Sequence, residues 1–321
     1  MNPDSTWHWG FAMAALGMFL GLTQYLRGWK YLGEVGMHRG QGESEEEKAR
    51  RLRRLRLGIA MVAAIVAIVA GGSATGLLPI TAEWVANAFG VLLLLTTVLF
   101  FVWMFALAKW TPAERKRLLV VLVLFVAAAI FWSVFEQAGS TLNLFAQRNT
   151  RTVAFGYEFP ASWFQSAEPF FLVLLSPVFA WIWLRLGKHD PSSPAKFTIG
   201  LLFVAMSFGL LVLASRYSES GVMVSPMWLT GTYLLQTVGE LCLSPVGLSA
   251  MTRLAPARIA GLTMGVWFLA TSVGNYLGGR VGGLYEAFSL PHLFGAVALF
   301  ALGATVVLAL LIRPIRRMLA R

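Results

Sequence analysis

The sequence predicts an all-α polytopic membrane protein with about nine transmembrane helices. Three observations carry that expectation. Of the 321 residues, 57% are hydrophobic and only 13% charged, against about 25% charged in a soluble domain. The apolar residues gather into nine runs, at 8–26, 57–79, 84–108, 118–146, 161–184, 196–214, 226–250, 259–280 and 291–312, each near the roughly 20 residues a helix needs to cross a bilayer. Finally, if the N-terminus lies outside, 22 of the 26 Lys and Arg residues fall on the inward side, leaving only Arg148, Arg151, Arg216 and Arg280 outside. That asymmetry follows the positive-inside rule.

The first run is read as a spanning helix rather than a signal peptide, because Asp4 precedes it, no basic stretch does, and no small-residue cleavage site follows. Residues 27–56 form a charged connector on the inward side. Its EEEKARRLRRLR segment (45–56) reads as a juxtamembrane anchor on anionic lipid rather than a nucleic-acid arm. The placement of basic residues accounts for the net charge of +11 without a nucleic-acid partner. The second and third runs follow, and the remaining connections are short, so no second globular domain is expected. The fourth run is longer than a straight span and is expected to tilt or protrude.

The single cysteine, Cys242, excludes an internal disulfide framework. His8, His38, His189 and His292 are scattered near span ends or connectors. They offer no paired metal ligands, and no nucleophile motif accompanies them, so no enzyme is expected.

Three acidic residues lie well inside runs: Glu136, Glu168 and Glu240. Counted at about 1.5 Å per residue from the nearest inward arginine, the first two sit at roughly 26–27 Å and Glu240 at about 20 Å. A carboxylate at the centre of a spanning helix costs about 2.5–3.5 kcal/mol on insertion scales, so such residues face a cavity, a proton path or a partner. No lysine or arginine lies at comparable depth in any run. In FWSVFEQAGSTLNLFA (131–146), Ser133, Glu136, Gln137, Ser140, Thr141 and Asn143 recur at spacings of three and four, which gathers most of them on one helix face. In the seventh run Gln236, Glu240 and Ser244 form a second polar stripe. Interhelical hydrogen bonding is the plainer role for the serines, threonines and Gln236.

About one turn past Glu240, Pro245 and Gly247 are expected to break the helix and act as a gate hinge, with a static kink as the alternative. In the eighth run Gly274 and Gly278 have the small-xxx-small spacing of close helix packing. Trp267 sits midway along that run, away from the interfacial belt.

The segments FWSVFEQAGSTLNLFA, FPASWFQSAEPFFLVLLSPVFAWIW (159–183), LQTVGELCLSPVGLSAMTRLAP (235–256) and MGVWFLATSVGNYLGG (264–279) closely resemble the C-terminal half of proton-dependent oligopeptide transporters, a branch of the major facilitator superfamily. The opening WHWGFAMAALGMFLGL resembles that family's sixth helix. The resemblance implies a layout: a helix-six equivalent over 1–26, a basic cytoplasmic connector over 27–56, two inserted linker helices over 57–117, and a C-terminal six-helix bundle over 118–321. It also implies a multi-pass protein of the cell (plasma or inner) membrane with its C-terminus in the cytoplasm.

The resemblance assigns roles as well. Glu240 matches the glutamate that receives a peptide's N-terminal ammonium, and Trp267 a tryptophan lining the side-chain pockets. Gln236 and Ser244 share the stripe of Glu240 and are expected at the substrate. Glu136 falls in the acidic motif associated with proton coupling, with Gln137 and Ser140 beside it. Pro245 and Gly247 fall in the cytoplasmic gate. Di- and tripeptides and protons are the implied ligands, with no cofactor.

Two departures stand out. Glu168 occupies a position where the family usually has an asparagine touching the ligand's amino end. The family's N-terminal six-helix bundle, with its glutamate-glutamate-arginine motif and its helix-four lysine, has no counterpart in these 321 residues. The chain alone is therefore expected not to transport. The expected function is that of the C-terminal portion of a proton-coupled di- and tripeptide symporter working by alternating access. The alternative is a non-transporting fragment, or a half that assembles with a separate N-terminal bundle.

Overall fold

The computed structural model describes residues 3–33, 45–76, 81–107, 109–154, 156–256 and 259–319. The chain divides into two compact units, Met1–Ile80 and Thr81–Arg321.

The first unit holds α1 (Pro3–Leu32) and α2 (Glu45–Ala74). Much of the expected connector is thus helical, since α1 runs past residue 26 and EEEKARRLRRLR forms the opening turns of α2. That segment is built of strong helix formers, and Glu46 precedes Arg50 by the four residues at which opposite charges support a helix. Residues 34–44, with His38 and Arg39, lie outside the described residues, as do Arg258 and Arg321. Apolar side chains such as Phe19, Leu20, Ile65 and Ile68 are exposed, as lipid-facing side chains are.

The second unit begins with α3 (Ala82–Val102), which ends in a π-helical turn at Trp103–Leu107. Then come α4 (Pro112–Phe135), α5 (Thr141–Asn149), α6 (Ala167–Leu186), α7 (Ser193–Ser218), α8 (Pro226–Leu254), α9 (Ala260–Gly282) and α10 (Leu290–Leu319). Thr111 and Glu114 form a capping box at the start of α4, with Pro112 in the first turn. The strands described are a minimal antiparallel hairpin, β1 (Val153–Ala154) and β2 (Tyr157–Glu158). Gly156, at φ +82°, takes up its turn. The all-α class holds, and eight described segments are long and apolar enough to cross a membrane. The eighth expected run, α9, is a helix of 23 residues but is not among those eight, because its glycines and polar residues dilute its hydropathy.

The fourth run is not one helix. It stops at Phe135, tightens into a 3-10 turn over Glu136–Gly139, and resumes as α5. Gly139 and the hydroxyl residues beside it favour the break, glycine because it is a poor helix former and hydroxyls because they compete for backbone groups. Gln137 bridges the interruption: its Nε2 donates to the Ser133 carbonyl at 3.3 Å and its Oε1 accepts from Thr141 Oγ1 at 2.8 Å.

Glycine contacts hold the bundle together. A Cβ on Gly239 of α8 would lie 2.8 Å from the Gly200 carbonyl of α7, and a Cβ on Gly200 would lie 2.8 Å from that of Gly239. The predicted packing of Gly274 and Gly278 is present: their Cβ atoms would lie 2.5 Å from Trp132 Cβ and 2.7 Å from the Ser133 carbonyl of α4. Gly282 extends the stripe, with Ser140 Cβ 3.0 Å from its own Cβ position. Small residues dominate such contacts because apolar side chains gain nothing by leaving lipid for a helix interface. Around these seams Phe294 of α10 sits edge-on to Phe145 and Phe208, with centroids at 5.6 and 5.9 Å. On the other side of α9, Asn87 of α3 bonds Arg280, and Gly90 lies under the Tyr276 ring.

Gly278→Ala is expected to lower the thermal unfolding midpoint of the detergent-purified chain by the equivalent of about 1–3 kcal/mol of overpacking. Gly279→Ala has nothing within 4 Å of its Cβ and is expected to leave the midpoint unchanged or slightly raise it. Equal midpoints for the two variants would contradict the packing described.

Candidate functional site

Three segments deliver the acidic residues to one place. On α8, Gln236, Glu240 and Ser244 follow one another at intervals of four, and Gly239 presses the backbone beside Glu240 against α7. Glu168 lies in the first turn of α6 rather than mid-helix, because residues Ala161–Ser166 form a 3-10 segment before it. Its charge there suits the positive end of the helix dipole. The packing of α6 on α8 brings Glu168 within hydrogen-bonding reach of Glu240. Glu136, on the turn that interrupts the fourth run, lies within electrostatic reach of both.

Two ionised carboxylates have only acceptors to offer each other, so the Glu168–Glu240 contact becomes a hydrogen bond only when a proton sits between them. None of the three carboxylates forms an ion pair with a lysine or arginine among the described residues. Glu240 Oε2, Gln236 Nε2 and Ser244 Oγ are buried without a hydrogen-bond partner, as are Trp132 Nε1 and Asn143 Oδ1. Unsatisfied buried polar atoms are costly and are normally completed by water or a ligand. The expected stripe on α8 lies along one continuous helix, and these three of its polar atoms have no hydrogen-bond partner among the described residues.

The expected polar face of the fourth run is not one face. The 3-10 turn rotates Glu136 outward while Gln137 points inward, 1% exposed, and Ser140 is seated against Gly282. Ser140 Oγ donates to the Gln137 carbonyl at 3.4 Å, so Gln137 and Ser140 brace the break on which Glu136 stands.

Pro245 and Gly247 do not break their helix: α8 runs unbroken through both. Proline removes the amide that would have met the Leu241 carbonyl, and the flanking turns hold the helix together. Gly247 has a packing reason. A Cβ there would run into the ring of Trp267 and lie 3.0 Å from Phe197 Cζ. Trp267 itself is 5% exposed, lying across Gly247 and edge-on to Phe197 at 6.2 Å. It is buried in the seam between α8 and α9, two turns along α8 from Glu240.

Sequence reading missed Tyr233. It is 1% exposed, seven residues before Glu240 on the same face of α8, and within electrostatic reach of Glu168. Extending the stripe backwards from Gln236 at helical spacing would have found it. Gly200 and Gly239 were also missed, since each is a lone glycine without the small-xxx-small signature.

Comparison with known proteins places this geometry. A family profile described as POT family matches residues 1–297. The peptide transporter YePEPT of Yersinia enterocolitica is 39% identical over 326 residues, covering 98% of this chain and 63% of that protein. A di-/tripeptide transporter of Lactococcus lactis subsp. cremoris is 30% identical with the same coverage of 98% and 63%. Among solved structures, a peptide transporter POT in complex with sulfate superposes with a TM-score of 0.80 at 35% identity, over 97% of this chain and 62% of that one. A POT family transporter in complex with 5-aminolevulinic acid gives a TM-score of 0.80 at 31% identity, over 96% and 63%. The chain thus spans a little under two thirds of the relatives it matches. The family profile covers most of the chain, and the chain belongs to the POT family of membrane transporters.

Proposed function

We propose that this chain is the C-terminal portion of a proton-coupled di- and tripeptide transporter of the cell membrane. The observation that carries the reading is the convergence of Glu136, Glu168 and Glu240 beside unsatisfied polar groups of α8, with no cation paired to them among the described residues. A site with surplus negative charge and spare acceptors suits a ligand that brings an ammonium group, or a proton in its place. Glu240 receives the peptide's amino end, with Glu168 as a second carboxylate where the family usually has an asparagine. Gln236 and Ser244 bond the peptide backbone, and Trp267 on Gly247 supplies the floor two turns away.

Glu136 carries the coupling proton, on a turn held by Gln137 and Ser140. Pro245 weakens α8 between Glu240 and its arginine-bearing end, which lets that end bend as the gate opens. A complementary N-terminal bundle supplies the opposite wall and the cationic partners, and the two bundles rock about the bound peptide. The N-terminus faces outward and the C-terminus the cytoplasm, the orientation that the lysine and arginine distribution supports. The proton is the only accessory species needed.

Two experiments test this. Removing one of two neighbouring carboxylates relieves like-charge repulsion, so Glu168→Gln is expected to stabilise the purified chain at pH 8 by about 1 kcal/mol after discounting for solvent screening. The gain should vanish at pH 4, where protonation has already removed the repulsion. A pH-independent change would separate the two carboxyl groups. In liposomes holding this chain together with a complementary N-terminal bundle, an inward proton gradient is expected to drive uptake of labelled dialanine. Glu240→Gln should reduce that uptake at least tenfold, the order expected for losing one charge-assisted contact. Glu136→Gln should abolish gradient-driven uptake while sparing exchange of internal for external dipeptide. Uptake by this chain alone, or uptake indifferent to Glu240, would overturn the reading.

A further inference from the structure

At the arginine-bearing end of the larger unit, the middle of α4 and the ends of α7, α8 and α10 surround a cavity of about 340 Å³. Its open walls are apolar, formed by Leu254 of α8 and Leu319 of α10, with Leu124 of α4 and Ile315 of α10 buried behind them. Its rim is basic and hydroxylic: Arg253 and Arg316 stand on it with Ser192 and Ser193, and no carboxylate lines it among the described residues. The nearby Asp190 is held by Lys196 at 2.8 Å.

The rim groups have bonding capacity to spare. Among the described residues, Arg253 engages the protein through Nε, at 3.4 Å from the Ser249 carbonyl, and neither arginine is paired with a carboxylate. Ser192 makes no side-chain bond to the helix it precedes. Guanidinium groups bind phosphate oxygens in bidentate fashion, and hydroxyls complete such contacts.

Taken alone, the rim would suit any phosphate. The apolar walls select among phosphates, because a free phosphate ion gains nothing from the open faces of Leu254 and Leu319 whereas a lipid covers them with acyl chain. The level is right as well: α8 and α10 end at Leu254 and Leu319, so the rim lies where spanning helices emerge among headgroups. Two unpaired arginines without an acid favour a headgroup with net negative charge over a zwitterion, whose ammonium they would repel. We propose that this cavity binds one anionic phospholipid, its phosphate on Arg253 and Arg316 and the upper part of one acyl chain against Leu254 and Leu319. The assignment is independent of the transport reading, since it involves none of the residues around Glu240.

The test is native mass spectrometry of the purified 321-residue chain in detergent, titrated with dioleoylphosphatidylglycerol or with dioleoylphosphatidylcholine. The expected result is a single phosphatidylglycerol adduct retained at least tenfold more tightly than phosphatidylcholine, from about 1 kcal/mol per arginine. Arg253→Gln with Arg316→Gln should bring the two lipids to equal retention. These arginines are exposed, so the variant keeps its fold. Arg313→Gln with Arg317→Gln, which alters basic residues that do not line the cavity, should leave the preference intact. Equal retention of both lipids by the unmodified chain would overturn the proposal, and so would a preference surviving the Arg253 and Arg316 changes or one lost equally with Arg313 and Arg317. Inorganic phosphate is the remaining arm: if it displaces the lipid at equal concentration, the site takes free phosphate and the lipid assignment falls.

Discussion

Where α7 meets α8, Gly200 and Gly239 bring two main chains into contact, and where α9 meets α4 the glycines at 274, 278 and 282 do the same. Any side chain at these points would push a helix outward, and in lipid no hydrophobic gain would draw it back. The position of Glu240 depends on this constraint, because its neighbour Gly239 fixes how deeply α8 sits against α7. The same applies to the turn carrying Glu136, since α9 holds both sides of it, through Ser133 and Ser140.

On that frame the bundle gathers an electrostatic arrangement that stability alone does not explain. Three carboxylates from α6, α8 and the broken fourth run come within reach of one another. Gathering like charges opposes folding, and polar atoms such as Gln236 Nε2 and Ser244 Oγ add desolvation without a compensating bond among the described residues. Arrangements of this kind persist where a ligand or proton completes them. The ion pair between Arg148 and Glu286, at 3.0 Å, contrasts with this cluster: it is exposed and screened, so it adds little beyond steering the loop between α9 and α10.

The interruption at Glu136–Gly139 is the clearest case of local chemistry altering a regular pattern. The helix stops before Glu136, and on the 3-10 turn that follows the glutamate is exposed while the glutamine is buried, where its amide stitches Ser133 to Thr141. Pro245 is the converse case. Sequence signals of a break sit inside an unbroken helix: the turns flanking Pro245 hold it, and Gly247 serves instead to admit the Trp267 ring.

By itself the sequence determined the membrane class, the approximate spans, the family, the polar stripe on α8 and the packing role of Gly274 and Gly278. The family rests on the resemblance of long segments; each of the others is a local or compositional property, hydropathy over about 20 residues or a spacing of four on one helix. Only the tertiary structure decided that Glu168 stands at a helix start beside Glu240, that the fourth run turns at Glu136, that α8 continues past Pro245, and that Tyr233, Gly200 and Gly239 belong to the same assembly. Those features depend on which helices touch and at what depth. Contacts between segments far apart in the chain leave no periodic trace in either segment, since a glycine that admits a neighbouring backbone reads the same in sequence as one that admits nothing.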